Sequence, residues 1–156
     1  MTNDDSHALL LKDFGKIVEL DLAFDEHGMC FLMIDETMVS VRSLNGVLVL
    51  YAILGEFPEV WPASFWKHLL SLNATLMEAQ HGAITVDEDT DAVTLMQSFT
   101  GESMTPNSLA EALRVFIAQA QQLINVLSTR TAVSAPLAPE ENFASSSISD
   151  QHFGLA

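Results

Sequence analysis

The acidic segment 87–91 is the first candidate for metal chemistry in this sequence of 156 residues. Three of its carboxylates stand at the first three ligand positions of an EF-hand calcium loop: Asp87, Asp89 and Asp91. The remainder of that loop is absent, because Ala92 stands where the sharp turn requires glycine and Ser98 stands where a bidentate glutamate is required. The pattern therefore predicts a solvated hairpin turn and no metal site.

The other residue types that could do chemistry are not arranged for it. The histidines show neither HxxxH nor HxxE spacing, so we expect them on the surface rather than around zinc: His7, His27, His68, His81 and His152. Adjacent Asp35 and Glu36 fit a turn better than a catalytic carboxylate pair, since neighbouring strand residues point to opposite faces. The single cysteine, Cys30, lies in an apolar stretch and is predicted to be a small buried hydrophobe rather than a reactive thiol. Without a GxSxG, P-loop or GxGxxG motif, the sequence predicts no enzymatic activity and no cofactor.

Charge and hydropathy together favour a protein that holds a partner over one that transforms a substrate. The formal net charge is -15, yet 49% of the residues are hydrophobic and the mean hydropathy is +0.26. Such a chain is kept dispersed by its charge while it carries more apolar surface than its own core needs. The 6 basic residues are too scattered to neutralise a row of phosphates, so nucleic acid and anionic membranes are poor partners.

No segment has the pattern of a membrane span or a signal peptide. The longest apolar run, 47–54, is far shorter than the ~20 residues that cross a bilayer. Residues 1–6 lack the positive flank and apolar stretch of a signal peptide. We therefore expect the protein to stay in the cytosol without inserting into a membrane.

Hydrophobic periodicity and turn residues predict an α+β fold in the order αβββαββα. Helical spacing covers 6–18, 63–81 and a segment that starts at Thr105-Pro106 and ends at 127; strand patterns cover 29–34, 37–42, 47–54, 83–86 and 92–99. The helices are expected to pack on a twisted antiparallel sheet. One domain would span 1–127, and the Pro- and Ser-containing segment 128–156 is predicted to be a flexible tail.

The middle helix carries two apolar stripes. One stripe holds Phe65, Leu69, Leu72 and Leu76, and the next holds Trp66, Leu70, Asn73 and Met77. A single thin sheet cannot cover both, and a helix with two apolar faces usually has two partners. The second partner is predicted to be another copy of the chain, which makes the protein a homodimer.

Four segments of the sequence resemble class I chaperones of type III secretion, the Tir-chaperone (CesT-like) family. They are the opening helix LLLKDFG at 9–15, the first strand LAFDEHGMCFLMIDE at 22–36, the segment YAILGEFP at 51–58 and LLSLNA at 69–74 of the middle helix. Each motif is loose by itself, and the likeness spans roughly 9–127. The resemblance implies a bacterial cytoplasmic homodimer that binds the N-terminal segment of one or more secreted effectors in extended form without nucleotide. The homodimer would keep the effectors soluble and competent for secretion. The resemblance also allows an export ATPase as a further partner.

The resemblance also implies where the two interfaces lie. The dimer positions would be among Phe65, Trp66, Leu69, Leu70, Asn73 and Met77. The effector groove would be lined by Leu10, Phe14 and Ile17 of the first helix together with one face of the first strand, either Met29, Phe31 and Met33 or the alternate set Cys30, Leu32 and Ile34. The sequence leaves the choice of strand face open.

Two other functions remain open from the sequence. A regulatory adaptor of the same fold would sequester a control protein, and would be distinguished by specific capture of a regulator. A small-ligand-binding or enzymatic α+β domain would be distinguished by turnover or by a stoichiometric small ligand.

Overall fold

The computed structural model describes residues 3–56, 62–100 and 104–134. The elements follow the predicted order αβββαββα: α1 Asn3–Val18, β1 Met29–Ile34, β2 Thr37–Leu44, β3 Val47–Glu56, α2 Ala63–Glu78, β4 Ala83–Val86, β5 Ala92–Thr100 and α3 Pro106–Ser134. The strands form one antiparallel sheet in the order β1-β2-β3-β5-β4. The predicted α+β fold is therefore confirmed.

Tight turns set the register of the first three strands. Asp35 and Glu36, with φ of 46° and 65°, join Ile34 to its partner Thr37. Asn45-Gly46 makes the next two-residue turn, also with positive φ at both positions. Two-residue turns of this kind match the twist of the paired strands. The turn at Asp35-Glu36 is the one predicted from the sequence, and Asn-Gly is the residue pair most favoured in the second.

α2 ends at Glu78, three residues before the predicted end at 81. α2 ends in a Schellman motif in which Gln80 has the left-handed conformation, with φ of 57°, and the N–H of His81 donates to the carbonyl of Leu76 at 2.9 Å. Gly82 serves a different purpose, because a Cβ there would collide with the carbonyl oxygen of Met96. α3 begins as predicted, since the Thr105 hydroxyl accepts a hydrogen bond from the N–H of Ser108 at 3.2 Å.

α3 continues to Ser134. The residues 128–134 are thus helical, although the sequence assigned them to the tail. The remainder of the predicted tail, 135–156, lies outside the described residues, and so does His152.

The core lies between one face of the sheet and the helices: α1 and α3 pack on that face, and α2 adds Phe65, Leu69 and Leu76. We call that face of the sheet the inner face; its buried side chains include Cys30, Leu32, Val39, Val41, Leu50 and Leu95. His7 is also buried, although the sequence predicted surface histidines. His7 stands three residues before Leu10 and seven before Phe14, so it falls on the same helical stripe as these two buried residues. Its Nδ1 lies 2.8 Å from the Ser43 hydroxyl, which ties α1 to β2.

The edge formed by β4 is closed by α2. The Asn73 side chain accepts a hydrogen bond from the N–H of Ile84 at 2.6 Å and donates one to its carbonyl at 3.0 Å. The amide thus occupies the backbone groups that an edge strand would otherwise offer to another strand.

Candidate functional site: a strand edge beside an apolar cavity

The opposite edge of the sheet, β1, is largely open. Ile34 and Thr37 flank a two-residue turn, so their pair is hydrogen-bonded, and the backbone groups of alternate residues point away from β2. Met29 follows this pattern, because its N–H donates to the Asp25 carboxylate at 2.9 Å and its carbonyl accepts from the Asp25 N–H at 2.8 Å. Phe31 and Met33 share that orientation, and no hydrogen bond from the described residues occupies their outward groups. They form an edge that can accept another strand.

Asp25 limits this open edge on one side. The hydrogen bond from the Met29 N–H lowers the pKa of the Asp25 carboxyl, assisted by a second bond from the His27 N–H at 2.9 Å. The carboxylate therefore stays ionised at neutral pH. The strand is closed at Met29 and open from Phe31 onwards.

An apolar cavity of about 340 Å³ adjoins the end of β1 on the inner face. α1 contributes Phe14 and Val18, the first hairpin contributes Ile34 and Asp35, and α3 supplies the remaining wall: Ala110, Leu113, Arg114, Ile117, Ala118 and Gln121. A strand added to β1 would direct every second side chain towards this cavity, because side chains alternate between the faces of a sheet.

One of the two charged residues that line the cavity, Arg114, already has a partner. Arg114 forms a two-bond ion pair with Glu111 one turn earlier on α3, with a distance of 2.9 Å from Nε to Oε2. The Glu111 carboxylate raises the pKa of Arg114, and the guanidinium lowers the pKa of Glu111. The cavity is therefore suited to apolar side chains.

The structure separates the predicted α1 residues by depth. Leu10 and Phe14 are buried, and Phe14 is 4% exposed although it forms part of the cavity wall. Ile17 is 51% exposed and lies outside that wall, where Val18 stands instead. Val18 is the last residue of α1, whose apolar stripe was visible in the sequence. That Val18 lines the cavity depends on how α1 is oriented on α3, which the sequence does not show.

The two alternate sets on β1 lie on opposite faces of the sheet. Cys30 and Leu32 are buried on the inner face with α1, and the partly buried Ile34 lines the cavity. Burial raises the pKa of the Cys30 thiol, in keeping with the predicted buried hydrophobe. Phe31 and Met33 point to the other face and are 57% and 64% exposed, while Met29 beside them is partly buried. The α1 stripe therefore meets the set Cys30, Leu32 and Ile34, and not the set Met29, Phe31 and Met33.

That other side of the sheet, the outer face, carries an apolar patch that sequence reasoning did not assemble. Phe31, Ser40, Tyr51 and Met96 form one row across β1, β2, β3 and β5. Met33 pairs with Met38 beside that row, and Ile53 stands one position beyond the last β2–β3 pair, Val39 and Ala52. Phe31, Met33, Met38 and Ile53 are exposed. The alternation in each strand was visible in the sequence, but the rows depend on register.

The six predicted dimer positions on α2 divide equally between the inside and the outside of the chain. Phe65 and Leu69 are buried in the core, and Asn73 is hydrogen-bonded to β4. Trp66, Leu70 and Met77 are exposed, with Leu70 at 66% and Met77 at 63%. These three form an apolar stripe on the outward side of the helix, which we call the α2 stripe.

The acidic segment 87–91 forms a turn closed by its own backbone. The Asp87 carboxylate accepts hydrogen bonds from the N–H groups of Asp89 and Thr90, at 2.9 and 3.2 Å, as in a capped hairpin turn. Within the described ranges, no three His, Cys, Asp or Glu side chains are grouped to hold a metal ion. None of the described helices is both long and apolar enough to cross a membrane.

An acidic α+β chain with one open strand edge, an adjoining apolar cavity and an exposed helix stripe has the features of a protein that binds other polypeptides. The profile of the Tir chaperone protein (CesT) family matches residues 9–124, so the chain belongs to that family. The predicted family resemblance is thus confirmed. No curated protein matches the chain by sequence.

Solved structures of low sequence identity share the fold. The ExsC–ExsE complex contains a chain of 24% identity and TM-score 0.71, with 81% of this chain and 97% of that chain covered. The HopA1–SchA chaperone–effector complex gives 19% identity and TM-score 0.69, covering 78% of this chain and 95% of that one. The Yersinia pestis type III secretion chaperone SycH, in complex with a fragment of YscM2, gives 20% identity and TM-score 0.59, covering 75% and 98%.

Proposed function

We propose that the protein is a type III secretion chaperone that holds the N-terminal segment of a secreted effector in extended form. The observation that carries this proposal is the open edge of β1 at Phe31 and Met33 beside the apolar cavity under Ile34. Its membership of a chaperone family supports the same conclusion. The action requires no chemistry, only binding that keeps the effector unfolded and soluble in the bacterial cytoplasm.

Two kinds of contact would hold the effector segment. Its backbone would pair with the outward N–H and C=O groups of Phe31 and Met33, which is sequence-independent. Alternate side chains would enter the cavity beside Phe14 and Ile34, where burial contributes ~25 cal/mol per Å² of apolar surface. Neither contact needs a nucleotide, so release would depend on a stronger competitor for the effector, for which an export ATPase is our candidate.

We also propose that the active species is a homodimer joined by the α2 stripe. Trp66, Leu70 and Met77 present a row of large apolar side chains on the outward side of the helix. Burial of this row against its symmetry mate would remove it from water. The closed β4 edge beside α2 would then leave the two β1 edges, one in each subunit, for the effector.

Backbone pairing at β1 can be tested separately from side-chain contact by Met33→Pro. Proline removes the outward N–H of Met33 and no internal hydrogen bond, because that N–H does not face β2. We expect Met33→Pro to fold as the wild type does and to lose the effector in pull-downs from the native cell, quantified by mass spectrometry. Met33→Ala, which keeps the N–H, is the matched control and should retain most of the binding. A folded Met33→Pro variant that captures the effector as well as Met33→Ala would refute strand addition at β1.

A further inference from the structure

The outer face differs in charge from the molecule as a whole. The chain has 21 acidic residues, yet no carboxylate stands among the outward-pointing strand residues from Met29 to Ile53 or on the facing stretches of β4 and β5. Glu56 lies beyond the irregularity at Gly55, at the far end of β3. Strands in general are poor in acidic residues, and Glu56 is the one acid in these five. The middle of the face therefore offers no carboxylate that would repel an acidic ligand.

Arg42 is the single charged side chain in the middle of that face. It stands in the row formed by Met29, Arg42, Val49 and Ser98. Among the described residues its buried Nε has no hydrogen-bond partner, and none of their ion pairs includes it. A buried donor without a partner costs free energy, and a guanidinium fork pairs best with a carboxylate.

The patch around Arg42 is rich in methionine. Met29, Met33, Met38 and Met96 all point to the outer face, and they are four of the 7 methionines in the chain. Methionine is unbranched and flexible, and surfaces rich in it accept ligands of different shape. Three described helices pack elsewhere: α1 and α3 cover the inner face, and α2 covers the β4 edge.

We infer that the outer face is a second client-binding surface, which takes an apolar, unfolded segment that carries a carboxylate opposite Arg42. The carboxylate would accept a hydrogen bond from the unpartnered Nε of Arg42 and fix the position of the segment, while the methionines adapt to its apolar side chains. Such a surface accepts several client sequences, provided that each places an acidic residue within an apolar stretch. The inference rests on the proposed chaperone function, because the occupant belongs to the same client as the segment at β1.

Two short synthetic peptides of alternating leucine and serine test this inference, one with a central aspartate and one with a central lysine. The protein is labelled at the methyl groups of methionine and isoleucine, so that Met33, Met38 and Ile53 report on the outer face while Ile34 and Ile117 report on the cavity. We expect the aspartate peptide to shift the outer-face signals and to bind about tenfold more tightly than the lysine peptide, as a charge-assisted hydrogen bond predicts. The overall charge of -15 would by itself favour lysine, so this preference has to come from a local cation.

Arg42→Gln should abolish the difference between the two peptides, and Lys12→Gln, which makes the same change in charge on exposed α1, should leave it intact. Shifts confined to Ile34 and Ile117, or equal affinity for both peptides in the wild type, would overturn the inference and leave the proposed function standing. Absence of shifts at both sets of reporters would count against both. If the outer-face signals change on dilution without peptide, or when the chain is ended at Ser134, the occupant is a second copy or the chain's own terminal segment, and the inference is wrong.

Discussion

At the scale of single residues, the same side chain often serves the fold and the site together. Phe14 fills the core and also forms the wall of the cavity. Asp25 ends the open stretch of β1 by occupying both backbone groups of Met29. Substitutions at such positions therefore need a measurement of stability beside any measurement of binding.

Phe14→Ala tests the structural part of this dual role. Because the ring is 4% exposed, we expect the free energy of unfolding to fall by ~3 to 5 kcal/mol, as for other buried aromatic side chains. Ile17→Ala, on the same helix but 51% exposed, is the control and should cost far less. Urea unfolding followed by circular dichroism measures both. A loss below ~1 kcal/mol for Phe14→Ala would place the ring in an open groove instead of the core.

The Asp25 carboxylate gives the β1 edge a defined pH dependence. Since its pKa is lowered by the Met29 N–H, the hydrogen bond is fully formed at neutral pH and is lost only as the pH falls through that lowered pKa. We expect the amide resonance of Met29 to titrate below the ordinary range of an aspartate, and Asp25→Ala to remove the titration. If the Met29 amide resonance of Asp25→Ala had the same chemical shift and the same titration as in the wild type, the carboxylate would not be the group that closes this position.

At the scale of elements, α2 does three things with three sets of side chains. Phe65 and Leu69 anchor it in the core, Asn73 closes the β4 edge, and the α2 stripe faces outwards. The helix thus makes the two edges of the sheet unequal. Of the two edges of the described sheet, β1 is the one that remains for strand addition.

Asn73→Ala should reopen the β4 edge. The N–H and carbonyl of Ile84 would lose their partners, and we expect a loss of about 1 to 3 kcal/mol in the free energy of unfolding with faster hydrogen exchange at the Ile84 amide. Asn125→Ala, on an exposed position of α3, provides the matched control and should change stability by less than about 0.5 kcal/mol. Equal exchange rates at Ile84 in wild type and Asn73→Ala would contradict this account of the edge.

At the scale of the whole molecule, high charge and exposed apolar surface oppose each other. A net charge of -15 keeps free chains apart, while the α2 stripe and the outer face favour association. We therefore expect association to be confined to surfaces that exclude carboxylates.

Leu70→Asp tests the proposed dimer. Leu70 is 66% exposed in the single chain, so the change should not unfold the subunit, but a charge in the centre of the α2 stripe could not be desolvated against its mate. Light scattering should give twice the subunit mass for the wild type at micromolar concentration and the subunit mass for Leu70→Asp. Ser71→Asp, a neighbouring exposed position off the stripe, should remain dimeric. A wild-type mass equal to that of Leu70→Asp would exclude the dimer.

The sequence by itself determined the order of elements and much of the local geometry. Hydrophobic period distinguishes helices from strands, and turn residues such as Asp35-Glu36 and Asn45-Gly46 act over a few bonds, so their effects can be predicted without a fold. The exact end of α2 was missed, because the left-handed position that terminates the helix is occupied by Gln80, a residue type with no preference for that conformation. The flexible tail over 135–156, the dimer and the effector contacts stay predictions.

Only the tertiary structure decided which apolar residues work together. Met33, Met38 and Ile53 lie on three different strands and become one surface through pairing register, and Phe14 meets Ile117 only because α1 packs on α3. The alternation of Met29 to Ile34 gave two equivalent faces, and the choice between them required knowing which face α1 covers. The closed β4 edge likewise follows from one side chain, Asn73, which reaches a strand that comes later in the chain. Long-range contacts of this kind have no local pattern, because any apolar face satisfies the periodicity and only packing selects its partner.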